Sequence, residues 1–243
     1  MTLGARHRSL RRVVDVLYED EFLLVVCKPS GALAHRGIGV DGPFVVDLLR
    51  AQGERDPRPV HRLDRGTSGA LVVARHFDAA RALSGAFEAG TVRKVYLALV
   101  RGTPPLEGLI DHPVPSGPRE RGVIAPRVPA KTKFRTVASV DIDPRTVSLV
   151  LAQPLTGRFH QIRRHLKHLD HPVIGDSTHG KGPLNRRFRE LYALSRIALH
   201  ALELRFPHPM FDREIVVRAP VPADLCAPLT KMGFAESQWM CTF

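Results

Sequence analysis

Cysteine is scarce in this sequence. Its three copies, Cys27, Cys226 and Cys241, are odd in number and widely spaced. That excludes a disulfide framework and offers no zinc-ligand pattern, and a reducing compartment, the cytoplasm, is the default expectation. Long apolar runs are missing too. Apolar stretches such as Leu23-Leu-Val-Val-Cys27 and Val147-Ser-Leu-Val-Leu-Ala152 have strand length, far short of the roughly 20 residues that span a bilayer, so no membrane association is expected. No apolar stretch precedes Val13. The arginines Arg6, Arg8, Arg11 and Arg12 therefore read as a basic arm, residues 1–12, and not as a secretory signal. There is no internal repeat, heptad or low-complexity tract.

Acidic residues are in deficit. The 24 Asp and Glu stand against 36 Lys and Arg, a formal net charge of +12. A chain this basic points to an acidic partner, with nucleic acid ahead of membrane. The excess is concentrated between Arg158 and Arg189, where eight cations face only Asp170 and Asp176. Like charges this dense repel unless an anion neutralises them.

What remains is an ordinary hydrophobic share, 44% of 243 residues, enough for one large domain or two small subdomains. Residues 13–18 and 22–28 read as strands joined by the acidic turn Glu19-Asp20-Glu21, and 43–49 as a short helix. Residues 53–59 read as a loop and 70–74 as a buried strand. In residues 77–89, Phe77, Ala80, Leu83 and Phe87 recur at helical spacing, predicting a helix with that face on the core and Gly90 as its cap. Residues 92–100 read as a central strand. Residues 103–130 are rich in proline and read as long loops with one short strand near 109–111. A hairpin is expected from 132–140 and 146–153 around Asp143-Pro144. Residues 159–169 form a predicted helix, with Ile162, Leu166 and Leu169 facing the core and His160, Arg163, Arg164 and Lys167 on another face. Strands at 198–206 and 214–218, a last helix at 223–232 and an unassigned tail, 233–243, complete the chain. Hairpin-like runs with irregularly interspersed helices favour an α+β fold with a largely antiparallel sheet.

The densest chemistry lies in His61-Arg-Leu-Asp-Arg-Gly-Thr-Ser-Gly69. One carboxylate, Asp64, stands between Arg62 and Arg65, whose charges favour its ionised form. Gly66 to Gly69 reads as a turn leading into the buried strand, so a lone acid sits at a loop–strand junction among phosphate-seeking groups. Other chemistries fit less well. Gly175-Asp-Ser-Thr-His-Gly180-Lys181 begins like a phosphate loop, but Gly182 stands where a magnesium-binding Ser or Thr belongs, and Pro183 is a poor start to a long helix. Ser68 lacks the second glycine of a nucleophile elbow. His165, His168 and His171 have no acid in metal-ligand register and read as polar surface groups.

HRLDRGTSG resembles the R-L-D-x-x-T-S-G motif of the RluA-type pseudouridine synthases. Four further segments resemble that family in the same order. They are Lys28-Pro-Ser-Gly31, Arg93-Lys-Val-Tyr96-Leu-Ala-Leu-Val-Arg-Gly102, Thr156-Gly-Arg-Phe-His-Gln-Ile-Arg163 and His171-Pro-Val-Ile-Gly-Asp176. The resemblance implies a curved mixed sheet of two α+β halves around a central cleft, spanning residues 13–232 with no S4 domain. It implies isomerisation of uridine to pseudouridine in RNA, with no cofactor and no metal. It makes Asp64 the catalytic residue, Arg163 its basic partner and Tyr96 an active-site aromatic that packs on the uracil and assists proton removal at C5. Ile162 would line the uracil pocket, and Arg62 would occupy the space left by the flipped base. The remaining RNA contacts are expected from Arg65, Arg36, Arg164, Lys167, Lys181, Arg186 and Arg187. Whether Asp64 attacks C1′, attacks the ring or abstracts a ribose proton stays open. Leu33-Ala-His-Arg36, Arg163-Arg164 and Gly175 to Gly180 with Asn185-Arg186 resemble the tRNA-modifying C branch of the family. That implies the uridine at tRNA position 65, with ribosomal RNA as the alternative substrate. A non-catalytic RNA-binding protein on the same fold and an isomerase of free nucleotides are the competing readings. No obligate protein partner is inferred.

Overall fold

The structure, a computed structural model, describes residues 14–36, 41–118, 125–143, 145–180, 182–241 and 243. The basic arm, Lys181, Pro144 and the tip of the proline-rich region fall outside these residues.

In chain order the elements are β1 (Asp15–Glu19), β2 (Leu23–Lys28), α1 (Val45–Ala51), β3 (Arg58–Pro59), β4 (Ser68–Ala74), α2 (Phe77–Glu88), β5 (Arg93–Arg101), β6 (Glu107–Asp111), β7 (Val114–Pro115), β8 (Arg127–Val128), β9 (Lys131–Ile142), β10 (Arg145–Pro154), α3 (Gln161–His168), α4 (Gly182–Tyr192), β11 (Leu199–Pro207), β12 (Glu214–Arg218), α5 (Ala223–Lys231) and α6 (Glu236–Trp239). The strands form one sheet in the order β1-β2-β4-β11-β5-β10-β9-β6, with β12 on β11 and β3 on β4; β7 and β8 make a separate ribbon. Among the described residues, every strand pairing is antiparallel except β4 with β11. This is the expected α+β class.

Apolar runs become strands covered on both faces, which is why β4 alternates so little; all seven of its residues are buried. On one side of the first half, Leu23, Val25 and Val72 pack against Ala79 and Leu83 of α2. On the other, Leu24, Val26 and Val73 pack against Val45 and Leu49 of α1. In the second half, Leu97, Leu99 and Leu149 meet Phe188, Leu225 and Trp239, while Ala98, Val100 and Val150 meet Ile162 and Leu166. Strand β11, late in sequence, sits between β4 and β5 and closes the seam between the halves. The seam is tight at Gly69, which has φ +114 and where a Cβ would lie 2.2 Å from the carbonyl oxygen of Ala201.

Several expectations are corrected. Phe77, expected in the core, is 64% exposed; it overhangs the first turn of α2, where the Arg58 guanidinium lies 5.9 Å from its ring. The buried positions there are Ala79 and Leu83. The proline-rich region carries three strands and not one, because β6 adds to the edge of β9 and β7 pairs with β8. Pro183 does not prevent a helix: it sits in the first turn of α4, where a missing N–H breaks no helical bond. The tail contains α6, and Trp239 is buried. His165 is no surface group. It is fully buried, with Nδ1 2.8 Å from Thr132 Oγ1 and Nε2 2.8 Å from the His112 carbonyl. No helix among the described residues is long and apolar enough to cross a membrane.

Candidate active site

The turn that carries Asp64 is held from below. Leu63 is buried against Leu71 and Ala201, and the Thr67 N–H donates to the Asp64 carbonyl at 3.0 Å. The Lys28-Pro-Ser-Gly31 turn is stitched to it by backbone and side chain. Gly31 N–H donates to the Arg65 carbonyl at 2.8 Å, Ser30 Oγ to the Gly66 carbonyl at 2.8 Å, and Arg65 Nε to the Gly31 carbonyl at 3.1 Å. Lys28 is fully buried, and its Nζ donates to the carbonyls of Ala32 (2.7 Å), Pro29 (3.0 Å) and Arg65 (3.3 Å). Burial first, and then the Arg196 charge, bring this lysine down to about 7, against the pull of Asp64. Arg196 supports the same turn, donating to Ser68 Oγ at 2.6 Å and to Asp224 at 2.9 Å.

Arg163 reaches Asp64 from α3. Its Nη1 lies 2.9 Å from Asp64 Oδ2, while Nε and Nη2 clamp both oxygens of Asp176 at 2.7 and 2.8 Å. Such a fork matches a carboxylate in geometry as well as charge. Arg163 is 7% exposed and Asp176 1%, so each charge depends on the other for neutralisation. Burial works against ionising Asp176, but hydrogen bonds from Arg163 and from the His179 and Thr178 N–H groups outweigh it and hold the carboxyl low. Burial likewise works against Arg163, and Asp176 followed by Asp64 reverses it. The segment before α3 is fixed by Gln161. Its Oε1 accepts from Thr156 Oγ1 (2.6 Å) and Arg158 N–H (3.0 Å), and its Nε2 donates to Thr132 Oγ1 and the Lys131 carbonyl (both 2.9 Å).

Above Asp64 opens a cavity of about 700 Å³, walled by Tyr96, Ile162, Leu199, Thr67, His61 and Phe159 among others. Tyr96 stands at the seam, packed against the apolar clusters of both halves. Burial, with the Asp64 charge second, raises its phenol, which therefore stays protonated. His61 accepts the Val72 N–H on Nε2 at 3.0 Å and stacks on Phe87 at 4.5 Å; burial, then Lys94, lowers it to about 3. Arg62 is exposed at the mouth, its guanidinium 5.9 Å from the Phe159 ring.

The structure thus gathers Asp64, Arg163, Tyr96, Ile162 and Arg62 around one cavity. It does so with a correction: Arg163 is not on an outer helix face but turned inward. Arg164 is half-buried and committed to the β7 segment, donating to the Pro115 and Gly117 carbonyls at 2.6 and 3.2 Å. Arg65 is exposed beside the turn, Arg36 pairs with Asp47 at 2.9 Å, and Lys167 is exposed on α3. Arg187 pairs with Asp143, and together with Arg186, Arg101 and Arg145 it lines a second, separate groove. Lys181 lies outside the described residues. Sequence reasoning assigned no role to Asp176, His160 or Gln161; an acid in the most basic stretch of the chain was the available signal for the first.

A family profile described as RNA pseudouridylate synthase matches residues 22–168. The tRNA pseudouridine synthase C of Vibrio cholerae is 37% identical over 242 residues, covering 93% of this chain and 98% of that protein. The protein of the same name from Salmonella typhimurium is 36% identical over 239 residues, 91% of each. Human RNA pseudouridylate synthase domain containing 1 superposes with a TM-score of 0.72 at 29% identity, covering 94% of this chain and 90% of the other. Human RNA pseudouridylate synthase domain containing 4 shares the fold, with a TM-score of 0.70 at 24% identity over 89% of this chain and 92% of the other.

Proposed function

The chain belongs to the RNA pseudouridylate synthase family, and from that premise we propose that it isomerises a uridine of tRNA to pseudouridine, with Asp64 as the catalytic carboxylate. The observation that carries the assignment is the fork of Arg163, which holds Asp64 at 2.9 Å on the wall of a cavity while anchored to Asp176. The reaction breaks the bond from C1′ to uracil N1 and makes one from C1′ to C5. A proton leaves C5 and another is taken up at N1, so no redox partner or nucleotide is consumed. A carboxylate kept ionised and oriented serves each of the three routes: attack at C1′, attack on the ring, or abstraction of a ribose proton.

Around it, Tyr96 packs its face on the uracil as a protonated phenol, and Ile162 and Leu199 supply apolar walls. The target base must leave its stack, which costs a few kcal/mol. Arg62, exposed at the mouth, offsets part of that cost by filling the vacancy. Phosphates of the RNA are met by Arg65, Arg36, Lys167, Lys181, Arg186 and Arg187, in a protein whose formal charge is +12, while Arg164 is committed to the β7 segment. The relatives named for tRNA support tRNA as substrate; the uridine at position 65 is proposed as target from the resemblance of Leu33 to Arg36, Arg163-Arg164 and Gly175 to Gly180 to the C branch of the family, and the cytoplasm as the place of action from the unpaired cysteine pattern. Pseudouridine mapping across total RNA, with wild type and Asp64→Asn supplied to cells lacking the gene, tests the reading. One wild-type-dependent site in tRNA is expected; a site confined to ribosomal RNA overturns the substrate assignment.

A further inference from the structure

Asp64 is one station on a closed circuit of contacts. Its Oδ2 lies 3.7 Å from Nε2 of His160. Nδ1 of the same imidazole lies 3.1 Å from Nε2 of His179, the two rings edge to face at 86°. His179 is presented by a turn in which its own N–H and that of Thr178 donate to Asp176 Oδ1, at 2.9 and 2.8 Å. Asp176 holds Arg163, and Arg163 holds Asp64. The circuit links the Asp64 loop, the start of α3 and the turn before α4. His160 adopts φ 53, a left-handed conformation uncommon outside glycine; such strain clusters at functional sites. Its ring lies stacked on Phe159 at 3.8 Å, with Nε2 on the side of Asp64 and Nδ1 on the side of His179. His160 lines the cavity, whereas His179 is half-exposed beside the exposed Ser177 and Thr178. The path therefore runs from cavity to solvent.

We propose that His160 and His179 form a proton relay that carries the proton leaving uracil C5 out of the Asp64 cavity, with Asp176 as the positioning residue that keeps the relay and Arg163 in register. The inference rests on the pseudouridine synthase reading above. Once C5 has bonded to C1′, the C5–H bond breaks. Its electron pair restores the C5–C6 double bond, and N1 takes a proton from solvent. Nε2 of His160 accepts the C5 proton, the Nδ1 proton passes to Nε2 of His179, and His179 releases its Nδ1 proton to water. Asp64, free again at that stage, faces the imidazolium as it forms. The groups facing His160 are Asp64, Arg163, Arg164 and His179, and those facing His179 also include Asp176 and Lys167. Burial, with Arg163 and His179 next among the opposing charges, holds His160 down to about 4 in spite of Asp64, so the resting imidazole is neutral and has a lone pair to offer. The Tyr96 phenol, which the family resemblance led us to expect in that step, is kept protonated by burial and is the weaker base of the two.

His160→Gly relaxes the left-handed backbone and removes the acceptor; His179→Gln cuts the path one step further out and leaves His160 in place. Both are compared with wild type in tritium release from C5-labelled uridine in tRNA, with the C5-deuterium isotope effect on turnover measured alongside. Release is expected to fall roughly 10²-fold in His160→Gly, with a larger isotope effect than in wild type and partial rescue by added imidazole. In His179→Gln it falls on the order of tenfold, again with a raised isotope effect. A wild-type rate in either variant, or a loss that carries no increased isotope effect and is not rescued, overturns the relay while leaving the Asp64 reading intact. Absence of tritium release by wild type overturns both.

Discussion

At the scale of single residues, Arg163 decides the electrostatics of the site. It is the shared cation of two carboxylates, one buried and one at the cavity wall. Removing one partner of a buried ion pair typically costs about 3–5 kcal/mol. Arg163→Met is therefore expected to lower the thermal midpoint clearly and to abolish pseudouridine formation. Adding Asp176→Asn should return part of the stability and none of the activity; an unchanged midpoint in the single variant contradicts the account. Buried histidines set a pH dependence. Burial lowers His61 to about 3, and His160 and His200 to about 4, from the usual imidazole value of 6.5. Below pH 6.5 the unfolded chain takes up protons that the folded chain refuses, so stability is complete above that value and is lost as the pH falls toward about 4. Guanidinium midpoints measured at about pH 7.5, 6 and 5 should decline in that order, and a flat series contradicts the assignment.

At the scale of elements, Gly69 is where the two halves of the sheet meet. The β4–β11 pairing extends over His200 with Ser68 and Ala201 with Gly69, and any side chain at Gly69 collides with backbone. Gly69→Ala is expected to lose more than about 2 kcal/mol in urea unfolding, from strain at a positive φ together with the clash; a wild-type midpoint contradicts this reading of the seam. The longer strands and the helix α2 were legible because local patterning determines them: residues 70–74 of β4 are an unbroken apolar run and Gly90 ends α2. The turn that carries Asp64 was legible because nine consecutive residues, His61 to Gly69, make it up. The family resemblance set Arg163 beside Asp64, but what local patterning leaves hidden depends on distance in sequence. Nothing local shows that Arg163 turns inward, since its partners are Asp176, thirteen residues on, and Asp64, ninety-nine back. Helix α4 was obscured by reading Pro183 as a breaker when it occupies a first turn. The β7–β8 ribbon, with two residues per strand, is too short for any periodicity to reveal.

At the scale of the molecule, the cavity lies where β11 closes the sheet, so that Tyr96 from β5, Leu199 from β11, Arg163 from α3 and Asp64 from the loop before β4 converge on one space. On the proposed reading, affinity for RNA comes from a distributed positive charge, and chemistry from one carboxylate. The two are therefore separable. The most direct test is a single-turnover assay of purified wild type and Asp64→Asn with the same tRNA, run beside a binding titration at several salt concentrations. The account predicts that the variant binds with the wild-type affinity and salt dependence and forms no pseudouridine. Pseudouridine formation by Asp64→Asn at the wild-type rate would contradict it.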